Sequence, residues 1–279
     1  MKACQISQLV ALASAANGVL FGCPVPTSLY PSNSSFKFCN SVRFVDLKKG
    51  FLGKVREVER HGDPNDWLRS LKPTRTIQVW LTYKPSGQQP APDHQLAAFV
   101  GGGGEWQLVV SRKESAEVWI SRWEVSHHDA PDALVWRVTY GCVAKLPSPP
   151  LIPQPHLELA ASRLLASLHG AHEFATAHKL TFWADWFQRA IDCLDSSKPA
   201  VFPDYEEFVC RDWYPEIAQR LLAAAYNSWV FGGMGSWNDM GFESDGENAR
   251  YSTVSKELYS AITDAVQQAT WSFRSSNAA

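Results

Sequence analysis

The chain has no surplus of positive charge. Its 26 Lys plus Arg face 28 Asp plus Glu, for a formal net charge of −2, so it carries no electrostatic footprint for a polyanion and no nucleic-acid partner is expected. Long apolar runs are missing too. No stretch reaches the roughly 18 uninterrupted apolar residues of a membrane-spanning helix, and no membrane partner is expected. The cysteines lack a motif: Cys4, Cys23, Cys39, Cys142, Cys193 and Cys210 are scattered without C-x-x-C, and no histidine stands at zinc-finger spacing. This excludes the common structural zinc sites and fits buried thiols in a reducing, cytoplasmic setting. The even count leaves disulfides open, although a chain this long does not need them. Gly-x-Ser-x-Gly, His-Glu-x-x-His and Gly-Lys-Ser/Thr are all absent, so neither a metal nor a cofactor is implied.

Aromatic residues are abundant. Twelve Trp, fourteen Phe and eight Tyr in a chain that is 45% hydrophobic supply a large interior, since each such ring can withdraw about 150–250 Å² from water. The apolar run from Leu9 to Gly22, after Lys2, has the outline of a short signal peptide, and Leu20-Phe21-Gly22-Cys23 approximates a lipoprotein cleavage box. Gln5, Ser7, Gln8, Ser14 and Asn17 interrupt the run, however, and the basic region is one residue long. Export, or processing at Cys23, is therefore the minor reading. The major one is a first helix from Ile6 to Ala16, stopped by Asn17-Gly18.

Proline punctuates the chain twice. Pro24 to Ser35 reads as an irregular connector, and Pro147 to Pro155 can be neither helix nor central strand because proline lacks the backbone donor. Between them the apolar period is two. Ile77, Val79, Leu81 and Tyr83 form one set, Trp106, Leu108 and Val110 a second, Trp119, Trp123 and Val125 a third, and Trp136, Val138, Tyr140 and Cys142 a fourth. Short turn-like links make them an antiparallel meander. After Pro155 the period becomes helical. A run from Leu157 is offset at Gly170 and continues through Phe174 and Trp183 to Leu194. A helix started by Pro215 runs towards Trp229, and a last helix covers about Glu247 to Ser272 with Ser244 and Glu247 at capping-box spacing.

Strands followed by helices predict an α+β fold: an antiparallel, meander-like sheet in the N-terminal half, covered on one face by helices from the C-terminal half. The expected organisation is a single domain over 1–279, mainly β in 1–146 and mainly α in 156–279, joined by the proline-rich segment 147–155. There is no internal repeat.

Several clusters invite chemistry. Gly101-Gly102-Gly103-Gly104 precedes a strand rather than a helix, so it reads as a turn or bulge and not as a phosphate loop. In Phe231-Gly232-Gly233-Met234-Gly235-Ser236-Trp237-Asn238-Asp239, Gly232 or Gly233 is a natural left-handed helix stop. Gly233, Gly235, Trp237, Asn238 and Asp239 are candidate binding residues there, against a bland reading in which Trp237 plugs a groove and the polar pair makes turn bonds. Arg122 and Arg137 are candidates on the sheet face opposite the core, shared with Glu124, Gln78 and Trp80, where cross-strand charge pairs are the plain alternative. His169, His172 and Glu173 lack metal-site spacing, His127-His128-Asp129 reads as a solvated turn, and Glu206-Glu207 is a carboxylate pair without a cleft to place it.

Trp, Tyr and Arg dominate protein contacts, and no catalytic signature assembles. The leading expectation is thus a non-catalytic protein that binds another protein, an inhibitor or immunity-type role being one instance by analogy. The alternative is a hydrolase or small-ligand enzyme with a pocket between sheet and helices, using Asp239 or Asn238 with Arg122 or Arg137.

Overall fold

The computed structural model describes residues 4–25, 29–49, 54–87, 91–99, 101–126, 134–198 and 209–273. The expectations about His127-His128-Asp129 and Glu206-Glu207 lie outside these residues. Strands β1 (Cys39–Lys49), β2 (Val55–His61), β3 (Thr76–Lys84), β4 (Glu105–Arg112), β5 (Ala116–Val125) and β6 (Trp136–Leu146) form one sheet in the order β2-β1-β6-β5-β4-β3. The four strands read from alternation, β3 to β6, are a continuous antiparallel meander. The sheet as a whole is mixed, because the β1–β2 hairpin joins it through a parallel pairing of β1 with β6. That hairpin escapes a period-two reading for two reasons. Val42 and Phe44 on one face of β1 alternate with the equally buried Val45 on the other, and β2 is mostly charged, as suits an edge strand.

The inner face is built from Val42, Phe44, Val79, Leu81, Leu108, Val110, Trp119, Val138 and Tyr140, all buried. Trp119 stands opposite Cys142 and Val118 opposite Ala144, so Val143 is the extra residue of a bulge. The bulge brings Lys145 level with Glu117, on the same side of the sheet as Trp119.

Helix α1 (Cys4–Phe21) lies across this inner face, against β3 and β4. Leu9, Ala11, Leu12, Ala13, Ala15 and Ala16 are all fully buried, so both sides of the helix are covered. Four of the polar residues that break its apolar run, Gln5, Gln8, Ser14 and Asn17, hydrogen-bond other elements. Gln5 donates to Ser121 Oγ at 3.1 Å, Gln8 accepts from the Tyr140 hydroxyl at 2.8 Å, and the Ser14 hydroxyl accepts from Cys210 N at 3.4 Å. Asn17 does not end the helix as expected. Its amide donates to Val79 O at 2.7 Å and accepts from Val79 N at 2.9 Å, which seals part of the free edge of β3. The same edge is closed further along, where Trp271 Nε1 donates to Leu81 O at 2.7 Å and Gln267 Oε1 accepts from Tyr83 N at 2.8 Å. Gly18 also stays helical, and glycine is what fits there, since a side chain would meet Cys210 Sγ at 2.5 Å. Cys210 is disulfide-bonded to Cys23, which corrects the expectation of reduced thiols for this pair: such bonds persist in oxidising compartments. Among the described residues no helix is long and apolar enough to cross a membrane.

The short helix α2 (Pro64–Leu71) flanks the sheet at β1 and β2, while α4 (Leu157–Ala177), α5 (Thr181–Leu194), α6 (Glu216–Asn227) and α7 (Asp245–Trp271) pack on one another and the short α3 (Asp93–Leu96) meets α7. The expected cover of one sheet face by C-terminal helices is not what the contacts show. The inner side is occupied by α1, and the C-terminal group meets the sheet chiefly where α7 lies along β3. Gly170 lies within α4 without interrupting it, and the break falls at Lys179, whose φ is 56°. The helix after Pro215 ends at Asn227, before Trp229, and Gly235 rather than Gly232 or Gly233 is left-handed, with φ 78°. Ser244 caps α7 as the spacing indicated, accepting from Glu247 N at 3.2 Å.

Candidate functional site

The glycine-rich segment between α6 and α7 is anchored from inside. Trp237 is fully buried, donates from Nε1 to Ser255 Oγ at 2.8 Å, and meets the rings of Phe187, Tyr251 and Trp183 at 5.1, 5.4 and 5.6 Å. The Tyr251 hydroxyl donates to Trp237 O, and burial pushes the Tyr251 phenol up to about 12. Trp237 is therefore a core plug, as its plain reading held. The outer part of the loop is braced by its own polar groups. Asp239 accepts from Gly235 N, Ser236 Oγ donates to Gly232 O at 2.9 Å and accepts from Asn238 N at 3.2 Å, and Ser236 N donates to Gly233 O at 3.1 Å. At the tip, between Gly233 and Gly235, the Met234 side chain is 101% exposed, as free as in an extended peptide.

Asn238 connects the loop to α3, donating from Nδ2 to His94 O at 2.9 Å, while its Oδ1 is buried without a partner. Asp93, the neighbour of His94, accepts from the Tyr83 hydroxyl at 2.6 Å, from Ser86 N at 3.2 Å and from the Ser86 hydroxyl. Burial works to raise the Asp93 carboxyl, but the donors from Ser86 and Tyr83 outweigh it and hold it below the usual carboxylate range. Tyr83 is raised well beyond an ordinary phenol, chiefly by burial. The four-glycine run fits closely against this group. A side chain on Gly102 would meet Leu96 O at 2.2 Å, and one on Gly104 would meet the Tyr83 hydroxyl at 2.2 Å, so glycine lets the chain approach α3 and Tyr83. Tyr259 donates to Gly103 O at 2.5 Å, and the Tyr83 oxygen lies 2.8 Å from the same carbonyl.

His94 is 2% exposed. Burial lowers its imidazole below the usual histidine range, the Asp93 charge works against that, and the Lys256 charge adds to it. Its Nε2 is buried without a partner. His94, Tyr83 and Asp93 line a groove of about 1400 Å³ between the β3–α3 segment, α4 and α7.

The two arginine candidates lie elsewhere. On the outer sheet face Arg122 meets Glu57 at 2.5 Å and Glu124 at 3.2 Å, and Arg43 meets the other Glu57 oxygen at 2.8 Å. Arg137 is exposed, in register with Glu124. These are cross-strand pairs of a solvated face, where such contacts stabilise little. Gln78 and Trp80, placed on that open face from the sequence, are in fact buried, because Trp80 aligns with Val109, and Val109 with Val118, in an apolar strip. No contact joins Arg122 or Arg137 to Asn238 or Asp239.

A second charged group sits on the inner side of the sheet. Glu117, its side chain 6% exposed, accepts from Arg60 and Arg112 at 2.8 Å each. Arg60 also pairs with Asp46 and lies over the Trp119 ring, 4.8 Å from its centroid. Burial works to raise the Glu117 carboxyl, and the two guanidinium donors overcome it and hold it low. Both arginines are spent on structure here.

Asp93, His94, Tyr259 and Met234 were not singled out from the sequence. Their signal is three-dimensional, since α3 and the adjacent glycine run are far from α7 along the chain. Compared with known proteins, no family model matches this chain, and no curated protein and no solved structure matches it.

Proposed function

We propose that this chain is a non-catalytic binding protein whose partner, another protein, is held at the loop of residues 232–239, with Met234 as the anchor. The carrying observation is the combination at Met234 of complete exposure with a fixed backbone. An exposed thioether on a floppy loop would lose its ordering entropy on binding. One presented by a loop plugged by Trp237 and latched by Asp239 has already lost it. Methionine adapts its shape to irregular apolar sites, and the flanking Gly233 and Gly235 leave room for a partner's backbone. Under this reading Gly233, Gly235, Trp237, Asn238 and Asp239 position the contact rather than make it.

The carboxylates nearest the loop serve the fold, which favours binding over catalysis: the oxygens of Asp93 accept from Tyr83 and Ser86, and one oxygen of Asp239 accepts from Gly235 N. In-cell photocrosslinking in the native source tests the proposal. A photoreactive phenylalanine at Met234 is expected to give one discrete adduct that the same group at the exposed Lys113 does not. Equal adducts at both positions, or none at Met234, would overturn it.

A further inference from the structure

Along α5, Phe182, Asp185, Trp186 and Arg189 follow one another at spacings of three, one and three residues and share one face of the helix. Phe182 is 60% exposed, Trp186 is half-buried, and Asp185, Gln188 and Arg189 are exposed. The rings are grouped. Phe182 meets Trp183 at 5.0 Å and Trp186 at 5.8 Å, and Trp183 meets the buried Trp237 at 5.6 Å. This aromatic face is thereby anchored in the core and ordered before it touches anything outside the chain.

The charges on the same face are unspent. Asp185 stands four residues before Arg189, the spacing and order at which an acid and a base ordinarily pair along a helix. They do not pair here. The Arg189 guanidinium lies instead over the Trp186 ring, 4.9 Å from its centroid, and neither Asp185 nor Arg189 forms an ion pair among the described residues. One free acid and one free base, a turn apart on one helix, make a face that is complementary to itself. Where two copies of α5 lie antiparallel across a two-fold axis near Phe187, Asp185 of each copy faces Arg189 of the other, and both charges are matched at once.

The relief of the surface suits that contact. Phe182, Asp185, Gln188 and Arg189 border a concavity of about 440 Å³, the kind of four-residue hole that receives a side chain of a facing helix. In the same register Phe182 meets the turn of Asp192 and Cys193 on the other copy. Asp192 brings no unmatched charge there, because Lys198 pairs with it and Gln188 Nε2 donates to it. The 14 residues of α5 extend about 21 Å, and one helix face of that length covers less than the roughly 800 Å² per partner of a standard interface. A permanent dimer is therefore not what this face would make.

We infer that the exposed face of α5 joins two copies of this chain in a weak, reversible two-fold dimer, with the helices antiparallel and Asp185 paired with Arg189 in both directions. None of these residues belongs to the Met234 contact, and either reading can fail alone.

Sedimentation equilibrium of the full chain tests the inference. The wild type should self-associate with a dissociation constant on the order of 100 µM. Asp185→Arg sets base against base in both pairs, Arg189→Asp sets acid against acid, and each should weaken self-association by about tenfold or more. An equimolar mixture of the two variants restores both pairs and should associate as the wild type does, and so should the double variant D185R/R189D. Lys113→Glu, at an exposed position between β4 and β5, should change nothing. Three outcomes would overturn the inference: a wild type that is monomeric at about 1 mM, a charge reversal at Asp185 or Arg189 that leaves association intact, or a mixture as monomeric as its two components. Circular dichroism of each variant confirms that losses are read on folded protein.

Discussion

Among single residues, Glu117 has the most to lose. Held by Arg60 and Arg112 on the inner side of the sheet, its carboxyl sits below the value it would have in the unfolded chain. A depressed carboxyl stabilises the fold above the unfolded pKa and loses that contribution as pH falls through the folded one. Glu117→Gln should therefore cost about 3 kcal/mol at pH 7, because it leaves two arginines facing a neutral amide. The loss should shrink as the pH of a urea titration is lowered towards 3. An equal loss at both pH values would show that the charge is not what matters. Residue types alone pointed to Arg122 and Arg137 as the arginines of interest. The informative ones turned out to be Arg60 and Arg112, and the difference arises from the bulge at Val143 and the fold of β1–β2, which no local pattern announces. Trp237 was singled out from the sequence as a candidate binding residue, and in the structure it is fully buried.

At the scale of elements, α1 shows how far local reading goes. The polar residues that spoiled it as a leader, Gln5, Gln8, Ser14 and Asn17, are those that tie it to the core. Its end was misplaced because Asn17-Gly18 normally signals a helix stop, whereas here Asn17 hydrogen-bonds the edge of β3 and Gly18 makes room for a disulfide sulfur. Asn17→Ala would strand Val79 N and O in the interior, and a loss of about 3 kcal/mol in urea unfolding is expected. A loss under about 1 kcal/mol would mean that water can reach that edge. The meander β3 to β6 was readable because its apolar residues alternate. The β1–β2 hairpin was not, since β1 is apolar on both faces and β2 is charged.

For the whole molecule, one contiguous set of buried residues runs from the sheet through α1 into the C-terminal helices. The change of period at the proline-rich segment was visible in the sequence, and so was the α+β class. The way the halves meet was not, because it depends on a fully buried N-terminal helix and on side chains that close the β3 edge. The same arrangement sets Met234 outward while Trp237, three residues on, is sunk among α4, α5 and α7. Whether that display is what a partner reads can be measured directly. The chain has three methionines, and one of them, Met240, packs against the core close to Met234, which makes it an internal control. With ¹³C-methyl-methionine protein added to an extract of the native source, the Met234 signal is expected to shift or broaden while Met240 stays in place. A Met234 signal unchanged by the extract, or moving no more than that of Met240, would contradict the proposal that this loop is the contact.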